Sequence, residues 1–210
     1  MRINLNGSIL NALTRIFDVI LVTVLFLLCC LPVFTIGASL SAMYAAMIAI
    51  VNDSSTSVVR TFFGAFRDNF KQATLLLVPI LLVGAVVVVD IAVCWGFEME
   101  SSIILAVMQG LTVFCTCLYT AMSIYIFAGI AVYRVTWKQA ISNALYWSFK
   151  RLPGTAGLVL LSAAMAVSLV ILWFFSIPVI MLCLYLQGKL LQKIFGLEPE
   201  PLYHEEEIEY

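Results

Sequence analysis

Few side chains in this sequence could do chemistry, and they are scattered. Asp90 follows the four valines Val86–Val89 inside an apolar run, and Gln109 stands beside Gly110 and Thr112 in the next one. A carboxylate among lipid-facing residues is costly and usually functional, whereas an amide there commonly bonds a neighbouring helix. Trp95 follows Asp90 by about a turn and a half of helix, which places the carboxylate near the outer headgroups rather than at mid-depth. Asp90 and Gln109 are the candidate polar seam, and a structural role is the simpler account of both, for Gln109 as a bond between helices. Asp18 lies three residues after Arg15, a spacing that suits an ion pair on one helix face.

The single histidine, His204, precedes Glu205-Glu206-Glu207 near the C-terminus. With no second histidine there is no HExxH zinc motif, and a tail provides no pocket to hold a general-base pair. The sequence has no Walker loop, dinucleotide fingerprint or GxSxG elbow. The six cysteines, at positions 29, 30, 94, 115, 117 and 183, lie within or at the ends of apolar runs, where a free thiol behaves as a small hydrophobe. Cys115 and Cys117 are two residues apart and point to different sides of a helix. The expectation is a protein with no catalytic residues, no cofactor and no metal site.

The elements that must position these residues follow from composition. Of 210 residues, 63% are hydrophobic and 11% charged, too few polar groups to cover a water-soluble fold of this size. The natural solvent is a lipid bilayer. A nucleic-acid partner would need a basic stripe on a folded domain, and there is none. The apolar stretches are Phe17–Val51, Ala73–Trp95, Ser102–Tyr133 and Thr155–Leu191. A spanning helix needs roughly 20 residues, so the first and last are long enough for two short spans each. Both are broken near the middle, the first at Pro32–Gly37 and the last at Ser176-Ile177-Pro178, where proline removes a backbone donor. Each break reads as either a tight hairpin or a kink.

Charge placement chooses between these readings. Arg60, Arg67 and Lys71 separate the first two stretches, Arg134, Lys138, Lys150 and Arg151 the last two, and Lys189 and Lys193 close the last. The Trp95–Ser101 loop carries Glu98 and Glu100 and no base. Basic loops stay cytoplasmic. Arg2 and Arg15 join them inside only if the first stretch crosses twice, and the same holds for the last. Six spans with both termini cytoplasmic satisfy every cluster; four spans with kinked end helices do not. The first helix is expected to be an uncleaved span rather than a signal peptide, because its apolar run continues past Pro32 into a second one.

Two basic segments read as amphipathic surface helices. Phe63, Phe66 and Phe70 recur with Phe62 at helical spacing beside Arg60, Arg67 and Lys71, and Trp137 precedes a similar pattern beside Lys138, Lys150 and Arg151. Such helices lie in the interface with aromatic side chains down, anchoring to anionic lipid or docking a cytoplasmic partner. The expected architecture is an all-α, polytopic transmembrane helical bundle of about six spans with two amphipathic surface helices. Residues 1–197 form one domain, and 198–210, rich in glutamate, an acidic and flexible cytoplasmic tail. The order hairpin, surface helix, span, then span, surface helix, hairpin is similar to that of inverted-repeat transporters.

The run from Leu28 to Tyr44, LCCLPVFTIGASLSAMY, resembles the first signature of YesL-like proteins, a bacterial membrane family of unknown function. Phe62–Thr74, FFGAFRDNFKQAT, resembles the second. The resemblance extends over the chain in length and hydropathy order, although the later half matches mainly in pattern. It implies a multi-pass protein of the bacterial cytoplasmic membrane, associated with carbohydrate uptake or sensing through an ABC sugar permease or a two-component sensor kinase. The family brings no established catalytic or ligand residues.

Overall fold

The structure, a computed structural model, describes residues 5–52, 57–96, 103–133, 135–171 and 176–196, with the backbone alone for 5–12. All regular structure among these residues is helical: α1 Leu5–Cys29, a 3-10 turn Val33–Thr35, α2 Ile36–Val51, α3 Val58–Gly96, α4 Ile103–Tyr133, α5 Trp137–Lys150, α6 Leu152–Ile171 and α7 Ser176–Phe195. Five of the elements are long and apolar enough to cross a membrane: the turn with α2, then α3, α4, α6 and α7. The acidic loop with Glu98 and Glu100, Arg2, Arg134 and the His204 tail lie outside the described residues.

Both expected breaks separate helices. After Cys29 the chain turns through Pro32, and the Thr35 hydroxyl proton is shared between the carbonyls of Cys29 (2.5 Å) and Pro32 (2.6 Å), the first an acceptor that the end of α1 leaves open. At the other break, contacts between α6 and α7 show the geometry directly. A side chain at Gly154 would meet Ile194, one at Gly157 would meet Leu190, and Gln187 donates to Ser162. The numbers fall along α7 as they rise along α6, so the two helices form an antiparallel hairpin.

The same reasoning orients the other helices. Thr74 donates to the Phe34 carbonyl, and Gly37 packs on Ala73, with α2 and α3 joined at their opposite ends by residues 52–57. They are therefore antiparallel. Tyr119 donates to the Ile80 carbonyl and Gln109 to the Cys94 carbonyl, so α3 and α4 are antiparallel too. Tyr44 with Gln187, Met47 with Gly188 and Asn52 with Gln192 make α2 and α7 parallel.

At the centre lies α2, IGASLSAMYAAMIAIV, buried from Gly37 to Ile50 except at the partly buried Leu40. Its alanines, serines and glycine allow backbones to approach closely, as helices in lipid require. A Cβ at Gly37 would stand 2.5 Å from the Ala73 carbonyl oxygen, so only glycine fits this crossing.

The first surface helix is not a separate element. Residues 58–72 continue without interruption into the apolar half of α3, one helix of 39 residues. It is about 58 Å long at 1.5 Å per residue, while the hydrocarbon core is only about 30 Å thick. Its amphipathic half lies along α2. Phe62 is fully buried, and Phe66 and Phe70 pack partly against the core, Phe66 within ring distance of both others. The aromatic face is thus turned to the bundle, because α2 offers an apolar surface that must be covered. Beyond Leu77, α3 and the first half of α4 carry mostly exposed apolar side chains.

Candidate functional site

The two candidate seam residues come together. Gln109 Nε2 donates to the Cys94 carbonyl (3.4 Å), and the Cys94 thiol lies 3.9 Å from Asp90 Oδ1, to which it donates, and 3.3 Å from Thr112 Oγ1. Cys94 and Thr112 are buried, while Asp90 and Gln109 are half-buried. Cys94 is one turn from Asp90, and Thr112 is three residues from Gln109, so each helix contributes a polar pair to one face. The cluster sits near the 97–102 end of the α3–α4 hairpin. It ties the two helices together at this end, as the Tyr119 bond to the Ile80 carbonyl does further along.

A second polar cluster lies deeper. Gln187 is 2% exposed and Tyr44 5%. The Gln187 amide donates to Ser162 Oγ at 3.1 Å and approaches the Met165 sulfur at 3.8 Å, while its Oε1 accepts from the Tyr44 hydroxyl at 3.5 Å. One glutamine thus links α2, α6 and α7. The signal that finds it is the one that found Gln109: an amide inside an apolar run, here Leu186-Gln187-Gly188.

Several basic residues gather at one end, while Lys71 lies further along α3, beside Ala73 and level with the start of α2. Asn52, at the end of α2, accepts from Gln192 of α7, and Arg151 Nη1 donates to the Lys193 carbonyl at 2.9 Å. These bonds bring the start of α3 with Arg60, the α5–α6 junction with Lys150 and Arg151, and the end of α7 with Lys189 and Lys193 to the same side. Arg151, expected at a docking surface, caps the α7 C-terminus, where a cation suits the helix dipole. Arg60, Phe63, Arg67 and Lys71 are exposed on α3.

The second amphipathic segment forms a helix of its own, α5. It opens on a capping box in which Thr136 and Gln139 bond reciprocally. It rests on the bundle through the small residues Ala140, Ala144 and Ser148, and turns Trp137, Ile141, Leu145 and Phe149 outward. Its lysines fold over rings: Lys138 lies 5.2 Å from the Trp137 ring centre and Lys150 4.8 Å from that of Tyr146.

An all-helical bundle with apolar outer faces and interior polar groups bonded between helices fits an integral membrane protein of unknown activity. Residues 19–91, about a third of the chain, match the family described as "Protein of unknown function, DUF624". No curated protein and no solved structure matches the chain.

Proposed function

We propose that this protein is a non-enzymatic, multi-pass component of a bacterial cytoplasmic membrane, with six spans and both termini cytoplasmic, acting as an accessory to another membrane complex. The observation that carries the topology is the gathering of Arg60, Arg151, Lys189 and Lys193 at one end of the bundle, the end that faces the cytoplasm under the positive-inside rule. The turn at residues 30–35 and the segment between α6 and α7, which contain no Lys or Arg, then lie outside. An accessory role is supported by the use of the polar interior. Gln187, Tyr44 and Ser162 are spent on one another, and the cavity between α3, α4 and α5 is lined by apolar residues such as Leu76, Val83 and Ile126. The resemblance to YesL-like proteins directs the partner choice to an ABC sugar permease or a sensor kinase. Purification of the intact complex in mild detergent tests this. The reading expects a permease or kinase in stoichiometric amount; recovery of the protein alone from repeated preparations overturns it.

The convergence of Asp90, Cys94, Thr112 and Gln109 favours a second reading, a small-solute transporter with its polar seam in the α3–α4 hairpin. Liposomes carrying the protein would then take up a solute, and Asp90→Asn would change the rate. Uptake indifferent to changes at both Asp90 and Gln109 removes that seam.

A further inference from the structure

Between α6 and α7 runs an open groove of about 650 Å³. Gly157, Leu160 and Leu161 form its wall on α6, and Leu186 and Leu190 its wall on α7, both sets spaced at three and four residues so that each lines one helix face. Gly157 keeps it open: a Cβ there would already stand 3.2 Å from Leu190 Cδ1. Lys189 and Lys193, both exposed and one turn apart, rise from the same face of α7 at the cytoplasmic end. The Arg151 guanidinium adjoins them through the Lys193 carbonyl.

We propose that this groove binds one anionic phospholipid, an acyl chain lying along the leucines and the phosphate held by Lys189 and Lys193. The volume falls in the range of small-molecule sites. An apolar trough closed at one end by ammonium groups is complementary to a molecule with an apolar chain and a negative head, and basic pockets between membrane helices on the cytoplasmic side take such headgroups. A zwitterionic lipid satisfies the leucines but brings no net charge to the lysines. Free phosphate satisfies the lysines but leaves the leucines uncovered.

The inference rests on the membrane reading above, and its test separates the two. The full-length protein in mild detergent is titrated with phosphatidylglycerol or phosphatidylcholine, and bound lipid is counted by native mass spectrometry. One phosphatidylglycerol per chain should be retained at lower concentration than phosphatidylcholine. The K189Q/K193Q variant should weaken that retention about 25-fold, the product of two surface charges each worth on the order of fivefold. Leu160→Trp, which fills the groove and leaves both lysines, should lower retention of both lipids. Monodisperse elution confirms that each variant is folded. Displacement by millimolar inorganic phosphate would make this an anion site and overturn the lipid assignment. Equal retention of the two lipids, or wild-type retention by the double-lysine variant, would overturn it too while leaving the membrane reading intact.

Discussion

Gln187 is the side chain on which three helices depend. Replacing it with alanine removes bonds to Ser162 and Tyr44 and opens a cavity beside Met165. Interhelical hydrogen bonds in lipid are worth about 0.6–2 kcal/mol, and the cavity adds to this. Gln187→Ala should therefore lower the thermal midpoint in detergent well beyond Tyr44→Phe, which loses only the 3.5 Å bond; equal shifts would show that the amide is not the hub. A second residue-scale test concerns Gly84, whose added Cβ would fall on the Tyr119 hydroxyl, the group that donates to the Ile80 carbonyl. Gly84→Ala should destabilise α3–α4 packing, and Tyr119→Phe should recover part of the loss in the double variant, a coupling readable as a departure from additivity in thermal midpoints. Asp90 and Gln109 were legible because each interrupts an apolar run, and Cys94 completes the cluster from the same helix as Asp90. Tyr44 and Gln187 are separated by 143 residues, a juxtaposition that no local pattern encodes.

At the scale of elements, the hairpin breaks were readable and the extent of α3 was not. Proline and a side-chain-closed turn end α1, so Pro32 carries its own signal. Between Lys71 and Ala73 there is only Gln72, a residue any helix tolerates. The charge cluster marks a change of surroundings, from α2 on one side to an apolar environment further along, and the helix passes through it. Even Pro79 lies inside α3. For α5 the amphipathic pattern and the capping box agree, and its two faces make a direct prediction. A fluorescent label at Leu145→Cys should be quenched by bilayer-soluble quenchers and one at Asn143→Cys by aqueous iodide; the reverse order would show that α5 faces the other way. Removing the cap with Thr136→Ala should cost about 1 kcal/mol and speed amide exchange in the first turn of α5.

For the molecule as a whole, the antiparallel pairs α2–α3, α3–α4 and α6–α7, with α2 and α7 parallel, place the end of α2, the start of α6 and the end of α7 on one side. Charge clustering in the sequence implied that arrangement, because the positive-inside rule responds to loops whatever the packing between them. What it did not imply is the stagger: α2 lies beside the Val58–Ala73 half of α3, so the apolar half of α3 pairs chiefly with α4 and forms a largely exposed hairpin. The central claim of six crossings with both ends cytoplasmic is tested most directly by reporter fusions after residues 35, 65, 98, 142, 177 and 205. The account predicts cytoplasmic signals at 65, 142 and 205 and external signals at 35, 98 and 177. A fusion at 205 reporting the opposite side from those at 65 and 142 would contradict it.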